Sequence, residues 1–215
     1  AAGLAAAPDF TANQLDGSYV VTASVAGIAA PATFALTNSP SVVPGTIAIT
    51  PASVGQNLQT PVTITLPQPA PAGGLRVTVI SADPASMLVA GRAADAGSAQ
   101  ISITIGEGLT TVSGVYVHGL TSSGTVSLTA TAANGISGTA AITLTGSGFV
   151  LAGPNGIGSG SFTTTAGSST QLTLSAARLD SSLNYVETQQ VRGGSSYTTD
   201  IAGSFSSVGD VSPAQ

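Results

Sequence analysis

The sequence predicts an all-β fold, and three observations predict it. Apolar and hydroxylated residues alternate with period two, as in "DGSYVVTASVAG" (16–27), where Tyr19, Val21, Ala23 and Val25 share one face and Val20, Thr22 and Ser24 the other. Turn residues recur every 8–12 positions between such runs. No stretch shows helical periodicity, and the abundance of Gly, Thr, Ser, Ala and Val with 12 Pro suits short strands and tight turns.

In chain order, the first candidate pair is the run from Tyr19 and the run to Thr37, joined by a turn at Gly27. Seven further candidates follow at 46–50, 61–66, 75–80, 98–105, 111–118, 124–132 and 138–145, the last two joined at Asn134-Gly135. About seven short strands in some 100 residues is the pattern of an immunoglobulin-like sandwich. "NSPSVVPG" (38–45) and "GSGFVLAGP" (146–154) read as short junctions.

The chain also repeats itself. Setting "YVVTASVAGIAAPATFALT" (19–37) against "VSLTATAANGISGTAAITLT" (126–145) brings Val21 to Leu128, Ala23 to Ala130, Phe34 to Ile142 and Leu36 to Leu144, at an offset of roughly 107–108. A weaker echo at the same offset sets "PVTITLP" (61–67) against "TQLTLSA" (170–176), and Gly73-Gly74 against Gly193-Gly194. The expected organisation is tandem immunoglobulin-like β-sandwiches, one complete domain (40–148) flanked by two half-domains. Residues 1–39 are the C-terminal half of one and 149–215 the N-terminal half of another. An isolated small sheet leaves its apolar face in water. Each half is therefore expected to be completed by partner strands, from a neighbouring copy or from adjoining sequence of a longer polypeptide. Tyr19, Val21, Val25, Phe34 and Leu36 are expected to face inward, as are Val126, Leu128, Ile142 and Leu144.

"DGSYVVTASVAGIAAPATFALTN" and "SSGTVSLTATAANGISGTAAITLTG" resemble the closing strands of bacterial immunoglobulin-like (Big-type) tandem repeats of large secreted and cell-surface proteins. In that family a Gly-x-Tyr before the strand often forms a tyrosine corner. Gly17-Ser18-Tyr19 matches it, whereas the middle copy has Val126 in place of Tyr. The resemblance implies a stalk, adhesin or fibre role and carries over no catalytic or ligand residue.

Composition removes most other functions. The chain has 215 residues, four Arg, no Lys, nine acids and a net charge of −5. No basic patch exists for nucleic acid or an anionic membrane surface. No apolar run reaches the ~18 residues of a spanning helix, and "AAGLAAAP" lacks the charged start and long apolar core of a signal peptide. The acidic, Lys-free, Thr/Ser-rich composition leans extracellular, and the many hydroxyls offer attachment points for O-linked glycan. With no Cys and no Lys, neither disulfides nor Lys–Asn isopeptide bonds can lock the fold.

Catalytic candidates are few. His118, the single His, lies in "VYVHG" beside Tyr116 and opposite Val115 and Val117. It reads as a surface His rather than a general base for one of the serines. "GIGSGS" (156–161) is a Gly/Ser loop with no helix to make it a nucleophile elbow. Asp9, Asp16, Asp83, Asp95, Glu107, Asp180, Glu187, Asp200 and Asp210 are scattered singly, unlike the clustered carboxylates calcium needs. Asp83-Pro84 and Asp16-Gly17 read as turns. The expectation is no catalytic, cofactor or metal residue, no enzyme activity, and self-association as a head-to-tail filament or repeat array. The alternative is a non-catalytic carbohydrate- or protein-binding module of a secreted hydrolase, for which a cluster of Trp or Tyr would be the signal.

Overall fold

The computed structural model describes residue 11, residues 17–38, 45–158 and 161–202, and residue 209. Every regular element in them is a strand: β1 (Gly17–Ala23), β2 (Ala32–Asn38), β3 (Ala48–Ile49), β4 (Ala52–Gly55), β5 (Leu58–Thr65), β6 (Leu75–Ser81), β7 (Met87–Ala90), β8 (Gln100–Ile105), β9 (Thr111–Gly119), β10 (Gly124–Ala132), β11 (Ser137–Thr145), β12 (Ser147–Gly153), β13 (Gly156–Ile157), β14 (Thr173–Leu179), β15 (Tyr185–Thr188) and β16 (Gln190–Val191). The all-β expectation holds.

Two five-stranded sheets share one core. One runs β4-β11-β10-β6-β8; the other runs β16-β5-β9-β7, with β3 also on β5. Alternation supplies the core. In β10, Val126, Leu128, Ala130 and Ala132 are buried, and in β6 so are Leu75, Val77 and Val79. They belong to one apolar cluster with Val62 and Ile64 of β5 and Val115 and Val117 of β9. Val126, Leu128, Ile142 and Leu144 thus face inward as expected.

The first strand of this unit is split between the sheets. β3 pairs antiparallel with β5, Thr50 N donates to Thr63 O, and Pro51 then diverts the chain so that β4 pairs in parallel with β11. Proline interrupts β5 in a tolerated way. Pro61 lies between the stretch covered by β16 (Leu58, Gln59) and the stretch covered by β3 (Ile64, Thr65), where its missing N–H costs no ladder bond.

β1 and β2 form a separate two-stranded sheet. Tyr19 pairs with Leu36 and Val21 with Phe34, so these four share a face, as the alternation predicts. On the other face the Ser18 and Thr37 hydroxyls meet at 3.2 Å. The register is two residues off the repeat alignment, since Val126 pairs with Ile142. A two-residue shift keeps every side chain on its face. Within this chain, however, Phe34 is 60% and Val25 69% exposed, and Tyr19 and Val21 are only half-buried, which corrects the inward placement expected of them. The reason is that no other described strand pairs with the hairpin.

Three more expectations change. The junction read at 146–154 is largely strand β12, paired with β14 from Ser147↔Arg178 to Ala152↔Thr173. β4 and β7 are added, each four residues long and therefore too short for alternation to reveal. The 61–67/170–176 echo does not place equivalent strands. Ile64 and Leu66 are buried, whereas Leu172 precedes β14 and is 38% exposed. After Gly193-Gly194, "SSYTTDI" forms no strand. Residues 39–44, and with them most of the 38–45 junction, lie outside the described residues.

Candidate functional site

His118 is where structure and sequence part most sharply. β9 alternation does turn it away from Val115 and Val117, but it is fully buried rather than on the surface. The loop after β7 crosses that outer face. Ser98 exchanges both backbone hydrogen bonds with Val89, each at 2.9 Å, and brings Gly97 down onto the ring. A Cβ at Gly97 would stand 2.8 Å from His118 Nδ1 and 2.6 Å from Leu88 Cβ, so only glycine fits there.

Neither ring nitrogen of His118 has a hydrogen-bond partner among the described residues. No hydroxyl is therefore held for deprotonation and no carboxylate orients the ring, the two features a catalytic His relies on. Burial first, and the positive charge of Arg192 second, push its pKa below the ordinary 6.5.

Arg192 arrives on the segment that closes this region. β16 lies on the edge of β5, with Gln190 opposite Gln59, and Arg192 N donates to Asn57 O at 3.1 Å. The buried Gln59 side chain ties three pieces together. Its Nε2 donates to Ala93 O (2.8 Å) and Gln190 Oε1 (3.3 Å), and its Oε1 accepts from Gly193 N (3.2 Å). Gly193 must be glycine, because a Cβ would fall on the carbonyls of Ala93 and Asp95.

A second clasp acts through Gln189. Its Oε1 accepts from Gly55 N at 2.9 Å and its Nε2 donates to Ser53 O at 2.8 Å, so one side chain satisfies two backbone groups on the outer edge of β4. Ser147 Oγ donates to Gln56 O at 2.6 Å beside it. Between β12–β14 and the start of β5 lies a cleft of about 290 Å3, lined by residues that include Leu58, Phe149, Ala176, Val191 and Tyr197.

The acids serve local geometry. Asp83 Oδ1 accepts from Ala85 N, and hydrogen bonds from the Ser86 side chain and then Ala85 hold its carboxyl below the usual range, in the turn read from sequence. Asp180 Oδ1 accepts from Ser182 N and Asn184 N, each at 2.8 Å, fixing the β14–β15 turn, and the bonds from Asn184 lower its pKa. Glu107 accepts from Gly73 N, and Glu187 pairs with Arg178 at 2.8 Å. No three His, Asp or Glu gather at metal-binding distance among the described residues. Asp9, Asp16 and Asp210 lie outside them, as do residues 159 and 160 of "GIGSGS". No helix among the described residues is long and apolar enough to cross a membrane.

Sequence reasoning missed Gln59 and Gln189, which sit in runs such as "VETQQV" with no pattern to mark them. Their roles exist only where distant segments meet.

No family model and no curated protein matches the chain. Among solved structures it is similar to the S-layer protein SbsC, domains 4 and 5, at 17% identity and a TM-score of 0.32. That match covers 61% of this chain and 59% of the other, so the chain spans less than two thirds of the structure it matches. A likeness this loose decides neither the details of the fold nor a role.

Proposed function

We infer that the chain is a non-enzymatic structural segment of an extracellular fibre, stalk or adhesin, built from immunoglobulin-like sandwiches whose exposed halves are completed by neighbouring copies or adjoining chain. One observation carries the reading: the middle unit receives the chain at one pole and releases it at the other. Gly45 lies against Pro67, just past the end of β5, and Ile47 N donates to Ser137 O at the start of β11. The chain leaves after Thr145, at the far end of the same strand. Nine residues of strand separate the two points, about 30 Å.

Tension between these poles loads the parallel β4–β11 pair in shear. Ile142↔Ala52 to Thr145↔Gly55 must then give way together rather than one after another. The splitting of the first strand between the two sheets, and the order β4-β11-β10-β6-β8 against β3-β5-β9-β7, support the immunoglobulin-like reading. An acidic, Lys-free, hydroxyl-rich composition supports the extracellular placement.

Single-molecule pulling from the two ends tests this. A discrete unfolding event is expected for the middle unit, with a force that falls when Val54, buried in β4, is replaced by Asp. Smooth extension with no event would overturn the mechanical role.

A further inference from the structure

The outer face of the β16-β5-β9-β7 sheet carries a buried row that has no part in the stalk role. Gln190, Gln59, His118 and Leu88 stand opposite one another across the four strands, so their side chains share that face. Two segments of the chain cover the row. Residues 91–98 bring Gly97 onto the His118 ring and Leu88, and the end of β16 brings the charge of Arg192 close to the same ring. We propose that His118 is an acid-sensitive latch: a proton taken up by its ring releases the 91–98 loop and β16 while the two sheets of the middle unit stay folded. The latch requires nothing of the stalk role.

The site suits an uncharged imidazole and opposes a charged one. His118 is fully buried, and among the described residues neither ring nitrogen has a partner. The Nε of Arg192 is likewise buried without one. An imidazolium would add a second cation near the guanidinium, with two N–H donors held away from water. No neighbouring group relieves this. β5 and β7 present Gln59 and Leu88, and the next side chain on the same face of β9 is Tyr116. The covering loop carries Arg92 and Asp95, both exposed. The ion pair among the described residues joins Arg178 to Glu187, so neither His118 nor Arg192 has a carboxylate partner there.

Water can reach the ring by a change much smaller than unfolding. β16 is two residues long and pairs with β5 only at Gln190↔Gln59 and Val191↔Leu58. The loop is held by the pairing of Ser98 with Val89 and by the Gln59 side chain, which binds Ala93 O and Gly193 N at once. Gln59 thus joins the two covers, and losing its bonds frees both together. β9 is paired with β5 on one side and β7 on the other, and its inward side chains Val115 and Val117 belong to the main core, so the strand under the covers stays in place. Burial and then Arg192 lower the pKa of the covered ring, whereas an uncovered ring titrates at its ordinary 6.5. Opening is therefore favoured as pH falls below 6.5.

Amide exchange on the 215-residue chain, corrected for the intrinsic pH dependence of exchange, reads the latch. The reporters are Ser98 N, bonded to Val89 O, Arg192 N, bonded to Asn57 O, and Gly193 N, bonded to the Gln59 side chain. All three are expected to be less protected than the β10 amides, and to lose protection several-fold together between pH 7 and pH 5. The ceiling is about 25-fold, the limit for a ring that titrates at 6.5 only when uncovered. In His118→Leu their protection should stay level over the same range. Reporters that exchange at the rate of the β10 amides at both pH values, or that lose as much protection in His118→Leu, would overturn the latch. Should that variant not fold, the single His gives an unambiguous ring signal in the parent chain. Its titration midpoint is expected below 6.5, and a ring that titrates at 6.5 while the three reporters stay protected overturns the latch as well. Neither result alters the unfolding event on pulling, so the stalk reading stands or falls separately.

Discussion

His118 gives the middle unit a pH dependence whose sign follows from its surroundings. Its folded pKa lies below 6.5, so as pH falls through that value the unfolded chain takes up a proton that the folded chain refuses. The His contribution is therefore full above about pH 6.5 and is lost as pH falls towards the folded pKa. Asp83 and Asp180 act in the same direction only further down, below their ordinary 3.8. The melting temperature should drop between about pH 7 and pH 5, and His118→Leu should remove most of that drop. An unchanged slope in the variant would show that another group titrates. At Gly97 a methyl group would press on both His118 and Leu88, so Gly97→Ala should cost about 1–3 kcal/mol in denaturant unfolding. A neutral result would mean that the loop shifts freely. In the core, Leu128→Ala should cost ~2–5 kcal/mol, a large part of a domain's ~5–15 kcal/mol. Thr131→Ala, at an exposed position on the same strand, should cost little. Equal effects would mean that the β10 register is different.

Among the elements, the decisive contacts are those that fasten β16 and the β12–β14 sheet to the middle unit. Gln189 alone satisfies Gly55 N–H and Ser53 C=O on an edge that alternation leaves bare. Gln189→Ala should cost about 1–3 kcal/mol, because it strands two backbone groups. Amide exchange at Gly55 should speed up while exchange in β10 stays slow, and protection of Gly55 equal to the parent would show that the clasp is idle. The strands themselves were legible to different degrees. β6, β10 and β11 are long, alternate strictly and lie close to where the sequence places them, and β9 does so apart from a break in alternation between Val112 and Val115. β4 and β7 are four residues each, and what makes them strands is a partner far away in sequence: β11 for one and β9 for the other. β12 hides in a stretch rich in Gly because its pairing with β14 spans a loop that no local signal closes.

At the scale of the molecule, an arrangement with the chain passing from pole to pole should be elongated. A compact globule of 215 residues has a radius of gyration of about 17 Å. Small-angle scattering on the dilute chain should give a larger value, and a value near 17 Å would mean that the first hairpin folds back onto the middle unit. By itself the sequence determined the all-β class, the inward set of β10 and β11, and the apolar and hydroxylated faces of the first hairpin. Each of these depends on a period-two pattern carried by neighbouring residues, and a register shift of two leaves that pattern intact. Only the tertiary structure decided that His118 is buried, that Gln59 and Gln189 hold three segments together, and that the first hairpin pairs with no other described strand. Burial of an outward-facing side chain depends on which distant loop crosses it, and the loop over His118 is placed by the pairing of Ser98 with Val89 and the absence of a side chain at Gly97.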